Sequence, residues 1–142
     1  MALPNQPDSY KKTQIETASP EALILMLYDG ALRFIANAEE ASEKKNLEGI
    51  HNSLVRVQAI IAELLACLNK EKGGEIAVNL ERLYIFFLGR LADANISKDL
   101  KQVREIKPLI EDLRKSWAEM MKQNAKNPPA PTAPGKRLSI SA

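Results

Sequence analysis

The chain has one cysteine and one histidine among its 142 residues, so it is poor in the side chains that build disulfides, metal sites and many catalytic centres. The single Cys67 cannot form an internal disulfide, and no charged-then-apolar leader opens the chain. These two absences predict a cytoplasmic protein. A chain of this length can bury a core large enough for one domain without covalent links.

Long apolar runs and an excess of one charge are also missing. Charged residues such as Arg56, Glu63 and Arg90 interrupt every apolar segment before it reaches the roughly 18 residues of a membrane span. Twenty basic and 18 acidic residues are interspersed and leave a net charge of +2, without the basic face that binds nucleic acid. We therefore expect no membrane insertion and no nucleic-acid partner.

The residues that could carry catalysis or bind metal occur singly. Glu48 and His51 have the Glu-x-x-His spacing of di-iron bundle proteins, but such a site needs a second pair, and His51 is the only histidine. Cys67 has no nearby base in the sequence, and Gly73-Gly74 lacks the Lys-Ser/Thr that follows in a phosphate-binding loop. The sequence therefore predicts no enzyme, no cofactor and no metal site.

Apolar residues recur at helical spacing in four successive segments, and no alternating pattern supports a β-sheet. The segments are about residues 20–44, 47–70 and 76–96, followed by a fourth from about Leu100 to Met121. Short connections between successive helices favour antiparallel neighbours. The sequence therefore predicts an all-α fold, an antiparallel up-down bundle of four main helices.

Local signals refine these boundaries. Ser19 can cap the first helix, and Pro20 suits its first turn. The pair Gly73-Gly74 predicts a helix end and a tight reversal before the third helix. Pro108 lies inside the fourth apolar pattern, where a missing amide and a steric clash predict a kink or a break.

The chain divides into three parts by composition. Residues 1–18 contain Pro4 and Pro7 and predict an extended N-terminal arm. Residues 19–123 form the predicted helical bundle. Residues 124–142 contain four prolines and almost no apolar periodicity, which predicts a disordered tail.

The third helix has apolar residues on two faces, and a single packed core accounts for only one of them. The first face consists of Ile76, Leu80, Leu83, Phe87, Leu91 and Ala94. The second face, which we call the second stripe, consists of Val78, Ile85, Gly89, Ala92 and Ile96. It lies roughly 150–200° around the helix from the first. The second stripe fits a helix buried on both sides, a homodimer contact, or a groove for a partner peptide or helix, and periodicity does not choose among them.

Particular residues, beyond their hydropathy, carry a family resemblance. They are the runs Thr17-Ala-Ser-Pro-Glu21, Leu27-Tyr-Asp-Gly-Ala31, Ile61-Ala-Glu-Leu-Leu65, Gly73-Gly-Glu-Ile-Ala77, Asn79-Leu80, Leu83-Tyr84, Ala94-Asn-Ile96 and Leu113-Arg with Trp117. In this order and helical context, the chain resembles the flagellin export chaperones of the FliS family from about Tyr10 to Gln123.

The resemblance implies a cytoplasmic, non-enzymatic chaperone that binds the disordered C-terminal segment of flagellin. Such a chaperone prevents premature filament polymerisation and presents flagellin to a component of the flagellar export gate, and other flagellar regulators are further expected partners. The resemblance also implies an N-terminal arm that covers part of the binding groove in the free chaperone. The alternative is a structural helical homo-oligomer or a general flagellar interaction adaptor.

We place the predicted partner-binding surface on the second and third helices and on the arm. The residues are Ile50, Val57, Ile60 and Leu64 on the second helix, Val78, Ile85, Ala92 and Ile96 on the third, and Tyr10 and Ile15 on the arm.

Overall fold

The computed structural model describes residues 18–126, which form four α-helices. They are α1 (Pro20–Glu43), α2 (Leu47–Ala66), α3 (Lys70–Ser97) and α4 (Lys101–Lys126). The helices form a ring, in which α1 and α3 each pack against both α2 and α4. Because short connections join successive helices, neighbours run antiparallel. This confirms the predicted all-α, up-down bundle.

The helices of the bundle begin at Pro20 and end at Lys126. Ser19 Oγ accepts a hydrogen bond from the amide of Ala22 at 3.1 Å, and this confirms the predicted cap of α1. At the other end, α4 continues to Lys126, slightly beyond the predicted boundary at residue 123. The predicted arm, apart from Ala18, and the rest of the predicted tail lie outside the described residues. Within residues 18–126, no helix is long and apolar enough to cross a membrane.

The connection between α2 and α3 lies earlier in the chain than predicted. α3 begins at Lys70, where the side chain of Asn69 accepts a hydrogen bond from the amide of Lys72 at 3.2 Å. Gly74 lies inside α3 with φ 58° and ψ −131°, a combination that residues with side chains rarely adopt. A short helical segment from Lys70 therefore ends at Gly74, as the paired glycines predicted, and the longer part of α3 follows it.

α4 passes through Pro108 without a break, so one of the two outcomes predicted for this proline is not found. Val103, Ile106 and Ile110 are all fully buried, and they hold the helix to the core on both sides of the proline. Pro108 itself is exposed. The carbonyl of Arg104, which lacks its usual amide partner, is therefore on the side of the helix that water reaches.

The core draws fully buried side chains from every helix, among them Ile35 from α1, Leu54 from α2, Phe87 from α3 and Ile106 from α4. The first face of α3 was predicted only in part. Phe87, Leu91 and Ala94 are in the core, but Ile76 is 68% exposed, because it comes just after the bend at Gly74, at the end of the bundle.

A pair of tyrosines crosses this core. The hydroxyl of Tyr28 on α1 lies 2.6 Å from that of Tyr84 on α3, and both side chains are almost completely buried. Burial raises the pKa of both phenols above the ordinary value of 10.0, and the neighbouring Tyr28 raises the pKa of Tyr84 further. The two hydroxyls form a hydrogen bond with each other in a part of the core that water does not reach.

We expect Tyr84→Phe to lower the free energy of unfolding by about 1–3 kcal/mol, because the Tyr28 hydroxyl stays buried without a partner. The double variant Tyr28→Phe/Tyr84→Phe should cost less than the sum of the two single changes, because both polar groups are removed together. Urea denaturation of the four forms measures this coupling. Additive losses would contradict the account.

The same pair predicts a loss of stability in alkali. Because the folded state holds the pKa of both phenols above 10.0, their contribution is complete below about pH 10 and is lost as the pH rises above it. The stability of the double phenylalanine variant should therefore fall less steeply between pH 10 and 12 than that of the unaltered chain. Denaturant titrations across this range measure the two slopes, and equal slopes would contradict the prediction.

Candidate partner-binding groove

The second stripe lies on the surface of α3. Ile85 is 55% exposed and Ile96 is 84% exposed, while Val78 and Ala92 are partly buried. Gly89 is exposed, and a Cβ added there would meet no atom within 4 Å. Of the three arrangements that the sequence left open, burial of α3 on both sides is therefore wrong.

A hydrogen bond between His51 on α2 and Asn95 on α3 fixes the relative height of the two helices. His51 Nδ1 lies 3.1 Å from the side-chain nitrogen of Asn95 and 3.3 Å from its side-chain oxygen, so the ring tautomer decides which atom bonds. Because the helices are antiparallel, the residue one turn after His51 in α2 lies at the same height in the bundle as the residue one turn before Asn95 in α3. This places Val55, which is 44% exposed, close to the level of Ala92.

The same register brings further small residues of α2 beside the second stripe. Ala59 and Ala62 are exposed on α2, and Ala62 is level with the part of α3 that contains Ile85. We call this surface the α2–α3 groove. Its residues are Val55, Ala59 and Ala62 on α2, and Val78, Ile85, Gly89, Ala92 and Ile96 on α3.

The groove has the length and the apolar side chains needed to bind a helix. At 1.5 Å per residue, the distance from Val78 to Ile96 is about 27 Å, which equals about five turns of an amphipathic helix. Its small residues, Gly89 and the alanines, let another backbone approach closely, while Ile85 and Ile96 offer large apolar contacts. Such a surface suits binding through apolar burial.

Few other residues in the described chain have the properties of a catalytic or metal-binding site. Cys67 is exposed at the end of α2, and partial burial, followed by the charge of Glu63, raises the pKa of its thiol. A raised pKa keeps the reactive thiolate scarce at neutral pH. Among residues 18–126, no three His, Cys, Asp or Glu side chains are grouped so that they could hold a metal ion.

Several of the predicted site residues are not in the groove. Ile50, Val57 and Leu64 are at most 2% exposed and belong to the core, so the prediction that they line an open surface was wrong. Their shared helical face is the one that α2 turns towards the bundle interior. Ile60 lies on the other side of α2, where its Cδ1 would be 3.1 Å from a Cβ added at Gly30 of α1.

The arm residues Tyr10 and Ile15 lie outside the described residues, so their role stays a prediction. Four of the predicted residues, namely Val78, Ile85, Ala92 and Ile96, lie in the α2–α3 groove, and their role in binding stays a prediction. Sequence reasoning missed Val55, although this valine falls outside the core face of α2, and that position was the available signal. Ala59 and Ala62 are too weakly hydrophobic for the sequence to identify them as part of a binding surface.

Comparison with known proteins identifies the family. The family model described as flagellar protein FliS matches residues 3–124. The flagellar secretion chaperone FliS of Bacillus subtilis (strain 168) is 32% identical over 127 residues, which cover 89% of this chain and 94% of that protein.

Two further relatives show similar agreement. The flagellar secretion chaperone FliS of Salmonella typhimurium is 34% identical over 110 residues, 77% of this chain and 82% of that protein. Its counterpart from Campylobacter jejuni is 34% identical over 113 residues, 80% of this chain and 88% of that protein. The family model covers nearly all of the bundle, including the residues of the groove, and the chain therefore belongs to the FliS family of flagellar proteins.

Proposed function

We propose that this chain is an export chaperone specific for flagellin, which it holds by the C-terminal segment in the α2–α3 groove. The relatives named flagellar secretion chaperones support a role in flagellar export. The observation that carries the proposal is the exposure of three large apolar side chains, Ile85 and Ile96 on α3 and Val55 on α2, in a groove that otherwise has small residues. In this account, the chain works in the cytoplasm before export and needs no cofactor.

Binding in this groove masks the client by competitive burial. A disordered segment with amphipathic character forms a helix when it meets a complementary apolar groove. The apolar face of that helix then contacts Ile85 and Ile96 and is withheld from other flagellin molecules. Premature polymerisation is prevented for as long as the groove is occupied.

The same interaction permits release. Ordering the client on binding offsets part of the favourable burial, so the complex holds its client without the extreme affinity of a permanent assembly. We infer that a component of the flagellar export gate receives the client from this complex. The chain itself carries out no chemical step on flagellin.

The test uses the full chain with purified monomeric flagellin and with flagellin that lacks its C-terminal segment. We expect a one-to-one complex with intact flagellin in size-exclusion chromatography with light scattering, and no complex after the C-terminal deletion. Flagellin that lacks its N-terminal segment is the matched control and should still bind. Unchanged binding after the C-terminal deletion would overturn the proposed mode of recognition.

A further inference from the structure

A second exposed apolar surface lies on the other side of α3, at its seam with α4. Phe86 on α3 is 41% exposed, and Leu109 on α4 is 38% exposed. Arg90 Nη2 donates to both carboxylate oxygens of Glu105 at 2.9 Å, and this pair fixes the relative height of the two antiparallel helices. Phe86 is one turn before the arginine and Leu109 is one turn after the glutamate, so the two apolar side chains are level with each other. We call this surface the α3–α4 face.

Two exposed carboxylates lie on α4 beside this apolar pair. Asp112 and Glu119 are seven residues apart, so they share one stripe of the helix. That stripe lies on the α3 side of α4, because Glu105, seven residues before Asp112, bonds Arg90 of α3. Neither Asp112 nor Glu119 forms an ion pair within residues 18–126. The α3–α4 face therefore presents apolar side chains next to negative charge that no ion pair in this part of the chain neutralises.

Residues 127–142 follow α4, and part of their sequence complements this surface. Lys136 and Arg137 supply two positive charges, and Leu138 and Ile140 come directly after them. In an extended backbone, residues two apart lie on the same side, so these two apolar residues would present one small apolar face. The family model ends before this segment, so the complementarity belongs to a part of the chain that the family match does not cover.

The spacer between α4 and the basic pair is long enough to return along the helix. Residues 127–135 include four prolines, and a Pro-rich chain spans about 3.1 Å per residue, so the spacer covers about 28 Å. At 1.5 Å per residue, Asp112 lies about 21 Å back along α4 from Lys126, and Leu109 lies about 26 Å back. The spacer exceeds the distance to Asp112 by about 7 Å, which lets the chain reverse its direction after α4.

We propose that residues 136–140, which we call the tail segment, bind the α3–α4 face of their own chain. The basic pair of the segment lies beside Asp112 and Glu119, and its two apolar side chains contact Phe86 and Leu109. The order along the chain supports this arrangement. A chain that returns from the end of α4 passes the two carboxylates before it reaches the apolar pair, and the tail segment has its basic residues before its apolar ones.

The spacer makes a weak contact sufficient. Exposed ion pairs contribute little each, and the apolar area of the face is small. However, a short linker holds the tail segment near the face at an effective concentration of about a millimolar, so a weak affinity already populates the bound state. Arg82 on α3 is close in height to Asp112 and repels the basic pair, which keeps that pair on the α4 side of the seam.

The bound tail segment covers the α3–α4 face and leaves the α2–α3 groove open. Ile85 and Phe86 are neighbours in sequence and point about 100° apart around α3, so they belong to different faces. A protein that binds the α3–α4 face must therefore displace the tail segment, whereas a client in the groove need not. The inference does not rest on the proposed function, since it concerns a different face of α3.

Paramagnetic relaxation in the full chain tests this contact. A nitroxide label is attached at Ser139→Cys in a chain that also carries Cys67→Ser, so that the label has a single site. Position 139 alternates with the two apolar residues of the tail segment, so the label points away from the contact. We expect the methyl signals of Leu109 to lose most of their intensity, while those of Val55 on the outer side of α2 keep most of theirs. Equal broadening at Val55 and Leu109 would overturn the proposal.

Charge reversal tests the pairing in the same labelled chain. Lys136→Glu/Arg137→Glu should lower the bound fraction about tenfold and restore the Leu109 signals, because attractive contacts become repulsive. Adding Asp112→Lys and Glu119→Lys should bring the broadening back, since the swapped charges again attract. Circular dichroism confirms that each variant keeps its helicity. Broadening at Leu109 that the reversal of the basic pair does not reduce would contradict the proposed contact.

Two controls complete the test. Lys11→Glu/Lys12→Glu makes the same change of charge in the arm and should leave the broadening at Leu109 as it is. In a mixture of spin-labelled chain without isotope and isotope-labelled chain without spin label, the Leu109 signals should stay sharp. A restored Leu109 signal in the arm variant would show a response to overall charge, and broadening in the mixture would show that another copy supplies the segment. Either result would overturn the proposal.

Discussion

Ile85→Asp should weaken binding of the flagellin C-terminal segment by about a hundredfold while the bundle stays folded. The side chain is 55% exposed in the free chain, so a carboxylate there remains hydrated and disturbs no core contact. In the complex the same carboxylate would be buried in an apolar groove without a partner. Burying an unpaired polar or charged group costs about 3 kcal/mol or more, which corresponds to about a hundredfold in Kd.

Isothermal titration of the flagellin segment into each variant measures this effect. Phe86→Asp is the matched control, because it places the same carboxylate on the adjacent residue of the same helix, outside the groove. It should keep the wild-type affinity for the segment. Equal losses for Ile85→Asp and Phe86→Asp would contradict the groove, and loss of helicity in Ile85→Asp would show that Ile85 belongs to the core.

Phe87→Ala should lower the free energy of unfolding by about 3–5 kcal/mol, whereas Phe86→Ala should lower it by less than about 1 kcal/mol. Phe87 is fully buried between the helices, and its removal leaves a cavity that the fixed backbones cannot close. Phe86 is 41% exposed, and its ring contacts the Arg90 side chain at the surface. A domain of this size has a total stability of about 5–15 kcal/mol, so the Phe87 change removes a large share of it.

Urea denaturation monitored by circular dichroism compares the two phenylalanine variants. The two residues are adjacent and chemically identical, so the difference between them isolates burial. Similar losses for both variants would contradict the assignment of Phe87 to the core and Phe86 to the surface.

The sequence was sufficient to predict the four helices, the cap at Ser19 and the apolar second stripe on α3, but not the exposure of that stripe. These features depend on local chemistry and on helical periodicity, both of which are visible in one sequence. The groove residues of α2 were predicted poorly for a physical reason. Periodicity shows that Ile50, Val57 and Leu64 share a face, but it does not show that this face turns inward while Val55 turns towards α3.

Contacts between residues far apart in the chain also could not be predicted from the sequence. Trp117 Nε1 donates to the carbonyl oxygen of Glu21 at 2.8 Å, and Arg114 Nε lies 2.6 Å from a carboxylate oxygen of Asp29. Both contacts connect α4 to α1, and they require knowledge of which helices are neighbours. The same holds for the tyrosine pair, because its contribution to stability depends on two hydroxyls that meet only in the folded core.

The bend at Gly74 shows a further limit. The paired glycines correctly marked a helix end, because the backbone at Gly74 is not helical. The sequence did not show the short helical segment that Asn69 caps ahead of the glycines. The exposed position of Ile76 follows from that geometry and could not be read from hydropathy alone.

Methyl NMR of the isotope-labelled chain with the flagellin C-terminal segment tests most directly whether the α2–α3 groove holds the client. The methyl signals of Val55, Val78, Ile85 and Ile96 should shift on binding, while the signal of Leu109, which lies on α4 outside the groove, should not. Shifts at Leu109 with unchanged signals at Ile85 and Ile96 would contradict binding in the groove.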